Sequence, residues 1–140
     1  MMNEGERVLE NFFLEETQST PHINLTCEGF MSIKGQSYPE NTFVFYKPVM
    51  QWLERYFETS PASKTVVNME IVYFNSSSSK LFFDFFDLLE EASEMHDVEV
   101  NWLYDKANES ILDAGLDFKE DFQALRLNLI AKEPHDLPRC

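Results

Sequence analysis

The chain has 140 residues, enough for one domain with a hydrophobic core and too few for two. Its formal net charge is -14, and its 11 Lys and Arg are scattered. That excludes a phosphate-tracking nucleic-acid surface and sets the chain against anionic membranes. The same charge either steers in a protein partner with a basic face or does no more than maintain solubility.

Thirteen Phe residues in a chain of ordinary apolar content point to an aromatic core. Cys27 and Cys140 form no CxxC and no metal-ligand spacing, so free thiols in a reducing cytoplasm are expected. No apolar run reaches 18 residues, and the first ten residues are acidic rather than basic. A soluble cytoplasmic protein, without signal peptide or membrane span, is the expectation.

Taken in order, residues 1–16 fit either a short amphipathic helix or a loose arm. Ile23, Leu25 and Cys27 alternate with Asn24 and Thr26, Glu28-Gly29 interrupts, and residues 30–33 come next: a β-hairpin with a tight turn. Ser37-Tyr38-Pro39-Glu40-Asn41 reads as a helix start, with the Ser37 hydroxyl as cap and Pro39 in the first turn. Val49, Trp52, Leu53 and Tyr56 recur at helical spacing opposite Lys47, Gln51, Glu54 and Glu58. Pro48 lies inside this pattern and is expected to kink the helix or split off its first turn.

After a polar linker at 59–64, the β-branched and aromatic residues of 65–74 predict a buried strand. Asn75 and four serines end it. Residues 80–95 read as a helix with Leu81, Phe85, Leu88, Leu89 and Ala92 inward and Lys80, Asp84, Asp87, Glu91 and Glu94 outward. Residues 98–104 alternate as a strand, and 108–122 are helical with Ile111, Gly115, Phe118 and Phe122 on one side. Leu125, Leu127 and Leu129 form a last strand, and 132–140 a tail. The order β-β-α-β-α-β-α-β demands an α/β fold with a mixed, mostly parallel sheet, an N-terminal hairpin and helices packed on it.

The common nucleotide, zinc-protease and nucleophile-elbow signatures do not occur in the sequence. His22, His96 and His135 are scattered, and nothing pairs them with a nucleophile. Asp105, Asn108 and Glu109 fall short of a calcium loop, which needs a longer alternation and its Gly. No metal or cofactor is expected. The feature that stands out is Asn75-Ser76-Ser77-Ser78-Ser79, at the hand-over from a buried strand to a helix. Function collects at the carboxyl ends of parallel strands. A phosphate on one of these hydroxyls would meet free amides and the positive end of the helix dipole, with Lys80 as counter-ion. The plainer reading makes the serines caps and turn formers.

Several segments resemble the SiaC family of regulatory phosphoproteins. Residues 37–41 (SYPEN), followed by Trp52-Leu53-Glu54, match one family segment, and Tyr73-Phe74-Asn75-Ser76-Ser77-Ser78-Ser79-Lys80 matches another, Y-[LF]-N-T-S-S-[SI]-[KR]. Thr17-Gln18-Ser19-Thr20-Pro21, Asn101-Trp102-Leu103-Tyr104-Asp105 and Phe118-Lys119-Glu120-Asp121 resemble further family segments. The likeness runs from about Thr17 to Ile130 and implies a single SiaC-like domain at 17–131 with a STAS-like fold, which leaves residues 1–16 as an N-terminal arm and 132–140 as a C-terminal tail. It further implies a protein that is not an enzyme, toggled by a kinase and a PP2C-type phosphatase at the hydroxyl after the Asn, here Ser76. Its unphosphorylated form would bind and activate a diguanylate cyclase, raising cyclic di-GMP and promoting biofilm. Ser76 stands where the best-known branch has Thr, which leaves Ser77 or Ser78 as alternative acceptors.

The partner-binding face expected from this is Asn75, Ser76, Ser77, Ser78 and Lys80. An anti-sigma-factor antagonist with a transcriptional output is the alternative. A small hydrolase or metal-dependent enzyme using Asp84, Asp87 or Asp105 is the reading from a different class, against which those acids more simply form a wetted helix stripe and a loop.

Overall fold

Residues 9–59 and 61–133 are described by the computed structural model of the chain. Strands β1 (Phe12–Leu14), β2 (His22–Leu25) and β3 (Phe30–Ser37) are followed by α1 (Thr42–Glu58), β4 (Thr65–Phe74), α2 (Ser76–Ala92), β5 (Val98–Asp105), α3 (Glu109–Asp121) and β6 (Arg126–Lys132). The six strands form one sheet in sequence order. β1, β2 and β3 pair antiparallel, and β3 to β6 pair parallel. Each helix therefore crosses over by one strand in the same direction, and right-handed crossovers of that kind put all three helices on one face.

Burial follows from this layering. Val67, Met69 and Ile71 on β4, and Val98, Val100 and Trp102 on β5, point at the helices and are buried. The alternate residues face solvent, and there polar side chains stand among a few exposed apolar ones such as Val72 and Ile130. Asn68, Asn101 and Asn128 stand in register on β4, β5 and β6. Their amides join side to side, Asn101 Nδ2 donating to Asn68 Oδ1 at 2.9 Å and Asn128 Nδ2 to Asn101 Oδ1 at 3.0 Å. The expected aromatic core is present: Phe82, Phe85, Phe86, Trp102, Phe118 and Phe122 are buried together.

Several local expectations are corrected. Residues 12–14 of the supposed arm form the edge strand β1 on β2. The indole N–H of Trp52 ties the neighbouring backbone down by donating to the Glu10 carbonyl at 2.7 Å. Ser37 does not cap α1; it ends β3 and is buried, and Asn41 is the cap, its Oδ1 accepting the Val44 amide at 3.1 Å. Pro48 does not split off the first turn of α1, which runs unbroken from 42 to 58. The carbonyl that Pro48 leaves without an amide belongs to Val44, an exposed residue that water can reach. The apolar face of α2 also includes Phe82 and Phe86, while Leu81, Leu88 and Ala92 are only half-buried. His135, Cys140 and most of the expected tail lie outside the described residues.

Candidate functional site

The parallel strands β3, β4 and β5 each hand over to a helix at the same edge of the sheet, the place where open α/β sheets carry their sites. At the end of β4 the register against β3 slips between Gly35 and Gln36. One extra β4 residue is accommodated there, and the bulge re-aims the last residues of the strand. Phe74 turns inward against Phe82 and Trp102, while Tyr73 turns outward and meets Tyr38 edge-on at 5.7 Å.

α2 starts four residues earlier than its apolar period suggests, so the serine run is helix rather than turn. Asn75 is the N-cap, its Oδ1 accepting the Ser78 amide at 2.9 Å. Ser79 donates its amide to the Asn75 carbonyl at 2.9 Å. Among the described residues, the amides of Ser76 and Ser77 remain as free donors of the first turn. Ser76 and Ser77 are exposed, and the Ser76 hydroxyl makes no hydrogen bond among the described residues. Lys80 sits four residues on, one turn along the same side, exposed and without an ion pair among the described residues. Ser78 differs: it is fully buried, with its hydroxyl bonded to Ser37.

The two segments singled out in the sequence, 37–41 and 75–80, meet here. A cleft of about 450 Å³ is lined by Asn41, Phe43, Asn75, Ser77, Lys80 and Asp84, among others. Phe43 on its rim is 67% exposed, an unusual position for so large an apolar side chain. Sequence periodicity did not mark Phe43 or Tyr46 as belonging to this region.

Replacing Asn75 by Ala removes the cap, and a loss of about 1 kcal/mol in urea-denaturation stability is expected. Asp at the same position keeps an acceptor and should recover most of the loss; equal stability of all three proteins would contradict the cap's role.

The remaining candidates lie apart from this site. His22 packs edge-on against Phe13 at 5.1 Å, and His96 stacks on Phe57 at 5.6 Å. A second depression, about 560 Å³, opens where β5 meets α3. Two of its polar groups are engaged in local structure: Asp105 Oδ1 accepts the Ala107 amide at 2.8 Å, and Asn108 caps α3 through the Ile111 amide at 3.2 Å. Asp84 and Asp87 are exposed on α2. Among the described residues no group of three His, Cys, Asp or Glu side chains is placed to hold a metal ion. None of the described helices is long and apolar enough to cross a membrane.

Fold and site together define a two-layer α/β domain that presents a hydroxyl-bearing helix start at the carboxyl edge of its parallel strands. The sequence matches the profile of the SiaC family regulatory phosphoproteins over residues 14–132, and the chain belongs to that family. An uncharacterised protein of Pseudomonas aeruginosa strain UCBPP-PA14 is 35% identical over 115 residues, covering 81% of this chain and 90% of that one. The crystal structure of apo-SiaC from P. aeruginosa superposes with a TM-score of 0.77 at 28% identity, covering 86% of this chain and 98% of that chain. The crystal structure of the diguanylate cyclase SiaD in complex with its activator SiaC, from the same organism, gives a TM-score of 0.80 at 32% identity. It covers 86% of this chain and 99% of that chain.

Proposed function

We propose that this chain is a non-enzymatic cytoplasmic adaptor whose unphosphorylated form binds and activates a diguanylate cyclase. A partner kinase and a PP2C-type phosphatase set its state at Ser76. The observation that carries the reading is the likeness, at 32% identity and over 86% of this chain, to a SiaC crystallised as the activator of a diguanylate cyclase. It also favours a cyclase over an anti-sigma factor as the partner.

Ser76 supports the switch in physical terms. Its hydroxyl is exposed and uncommitted, whereas Ser78 is enclosed and unavailable to a modifying enzyme. A phosphate there carries about -1.5 to -2 charges, faces two free amides and Lys80, and draws the lysine away from any partner. Asn75, Ser77 and Lys80 flank Ser76 as the docking face, with Phe43 as its apolar anchor.

The test is enzymatic and uses the cyclase. The unmodified protein, titrated into the diguanylate cyclase of its own host, should raise cyclic di-GMP production in a saturable way. Turnover that ignores the protein at every concentration would contradict the reading.

A further inference from the structure

The first turn of α2 also has an inner side, which the switch itself does not use. Ser37 and Ser78 are each 0% exposed and Tyr46 is 2% exposed, yet three hydroxyls meet there. Ser78 Oγ lies 2.9 Å from the Ser37 carbonyl, which can only accept, so the Ser78 proton is committed to it. Ser37 Oγ, 2.8 Å from Ser78 Oγ, must then donate to Ser78. Tyr46 OH, 2.6 Å from Ser37 Oγ, must in turn donate to Ser37.

The chain therefore runs one way, from Tyr46 to Ser37 to Ser78 to the Ser37 carbonyl, and bonds aligned like this reinforce one another. Burial pushes the Tyr46 phenol upward in pKa, which keeps the donor protonated. The Ser37 carbonyl also accepts the Asn75 amide at 3.1 Å. β3, α1 and the cap of α2 are thus joined at one point.

A run of four serines is a poor helix former, and first turns are where helices fray most easily. A buried hydroxyl is costly unless bonded, so packing alone would favour an apolar residue at position 78. We propose that Ser78, acting through Ser37 and Tyr46, is a positioning residue that holds the first turn of α2 folded. The enzymes that modify Ser76 then act on that folded turn and not on an extended segment. The inference rests on the phospho-switch reading of Ser76 and adds how its enzymes recognise it.

The test uses full-length wild type, Ser78→Ala and Tyr46→Phe, each purified unmodified and added with ATP to a lysate of its own host. Two quantities are read: amide hydrogen exchange across residues 78–80, with β4 as internal reference, and the initial rate of phosphate gain at Ser76 against protein concentration. Exchange at the bonded amides of residues 78–80 should rise about tenfold in Ser78→Ala and less in Tyr46→Phe, with β4 protection unchanged. Because the turn stays mostly folded in either variant, enzymes that act on the folded turn should show an apparent KM that does not fall, whereas enzymes that act on an extended segment would show one lowered in proportion to the opening, about tenfold for Ser78→Ala.

Tyr46→Phe keeps the ring and loses only the hydroxyl, so it carries the test if Ser78→Ala does not fold. Faster exchange with a KM that falls in proportion, or unchanged exchange in both variants, would overturn the proposal. A wild type that gains no phosphate at all would remove the switch reading, and this proposal with it.

Discussion

Ser76→Glu is expected to weaken cyclase binding at least about 100-fold while leaving the protein as stable as wild type or slightly more so. The two effects have opposite signs for a physical reason. A carboxylate in the first turn of α2 faces the positive end of the helix dipole, and Lys80 stands one turn on. Within the free protein that placement is favourable by about 0.3–1 kcal/mol. At a contact with a partner, the same charge must be stripped of water without a new counter-ion. An uncompensated buried charge costs about 3–5 kcal/mol, which is the 100-fold or more in Kd. Calorimetric titration and a thermal melt on the same sample read both quantities. Loss of binding together with a lowered melting temperature would point to misfolding, and equal binding by the variant and the wild type would refute the docking face.

Gly115→Ala is expected to destabilise the protein by about 1–2 kcal/mol, against the usual sign for this change in a helix. Exchanging a mid-helix Gly for Ala normally gains about 0.8–1.0 kcal/mol in helix propensity. Here α3 lies so close to the sheet that an added Cβ would stand 2.6 Å from Trp102 Cδ1 and 2.7 Å from Leu129 Cδ2. The indole cannot yield easily, since Trp102 is fully buried and its Nε1–H donates to the Ile111 carbonyl at 2.9 Å. Overpacking of about 1–3 kcal/mol, at its upper end with a pinned neighbour, exceeds the propensity gain. The melting temperature should fall by roughly 5 °C. A rise would show that α3 can lift off the sheet at no cost.

The element order was legible because each long segment carries its own period. Residues 65–74 alternate or run apolar as a strand must, and β4 occupies those same residues. Glu28-Gly29 sits in the β2–β3 connection, where Gly29 adopts φ 95°. The features that could not be read depend on partners distant in sequence. β1 is three residues long, too short to show alternation, and exists through its pairing with β2. The start of α2 was masked because serines favour turns in isolation, although Asn75 was a visible cap candidate.

Ser37 misled for the same reason. It has the chemistry of a cap and stands before Pro39, yet its partners Tyr46 and Ser78 are brought to it only by the fold. The candidate site was therefore legible as a segment, Asn75 to Lys80. The division within it, with Ser76 and Ser77 outward and Ser78 inward, became visible only through the helical turn that they share.

The central claim is that Ser76 carries a reversible phosphate. Intact-mass spectrometry of the protein purified from its own host, wild type beside Ser76→Ala, tests it most directly. A phosphate-sized increment is expected in the wild type and should be missing from the variant. A wild type that stays unmodified under every growth condition, or an increment that persists in Ser76→Ala, would contradict it.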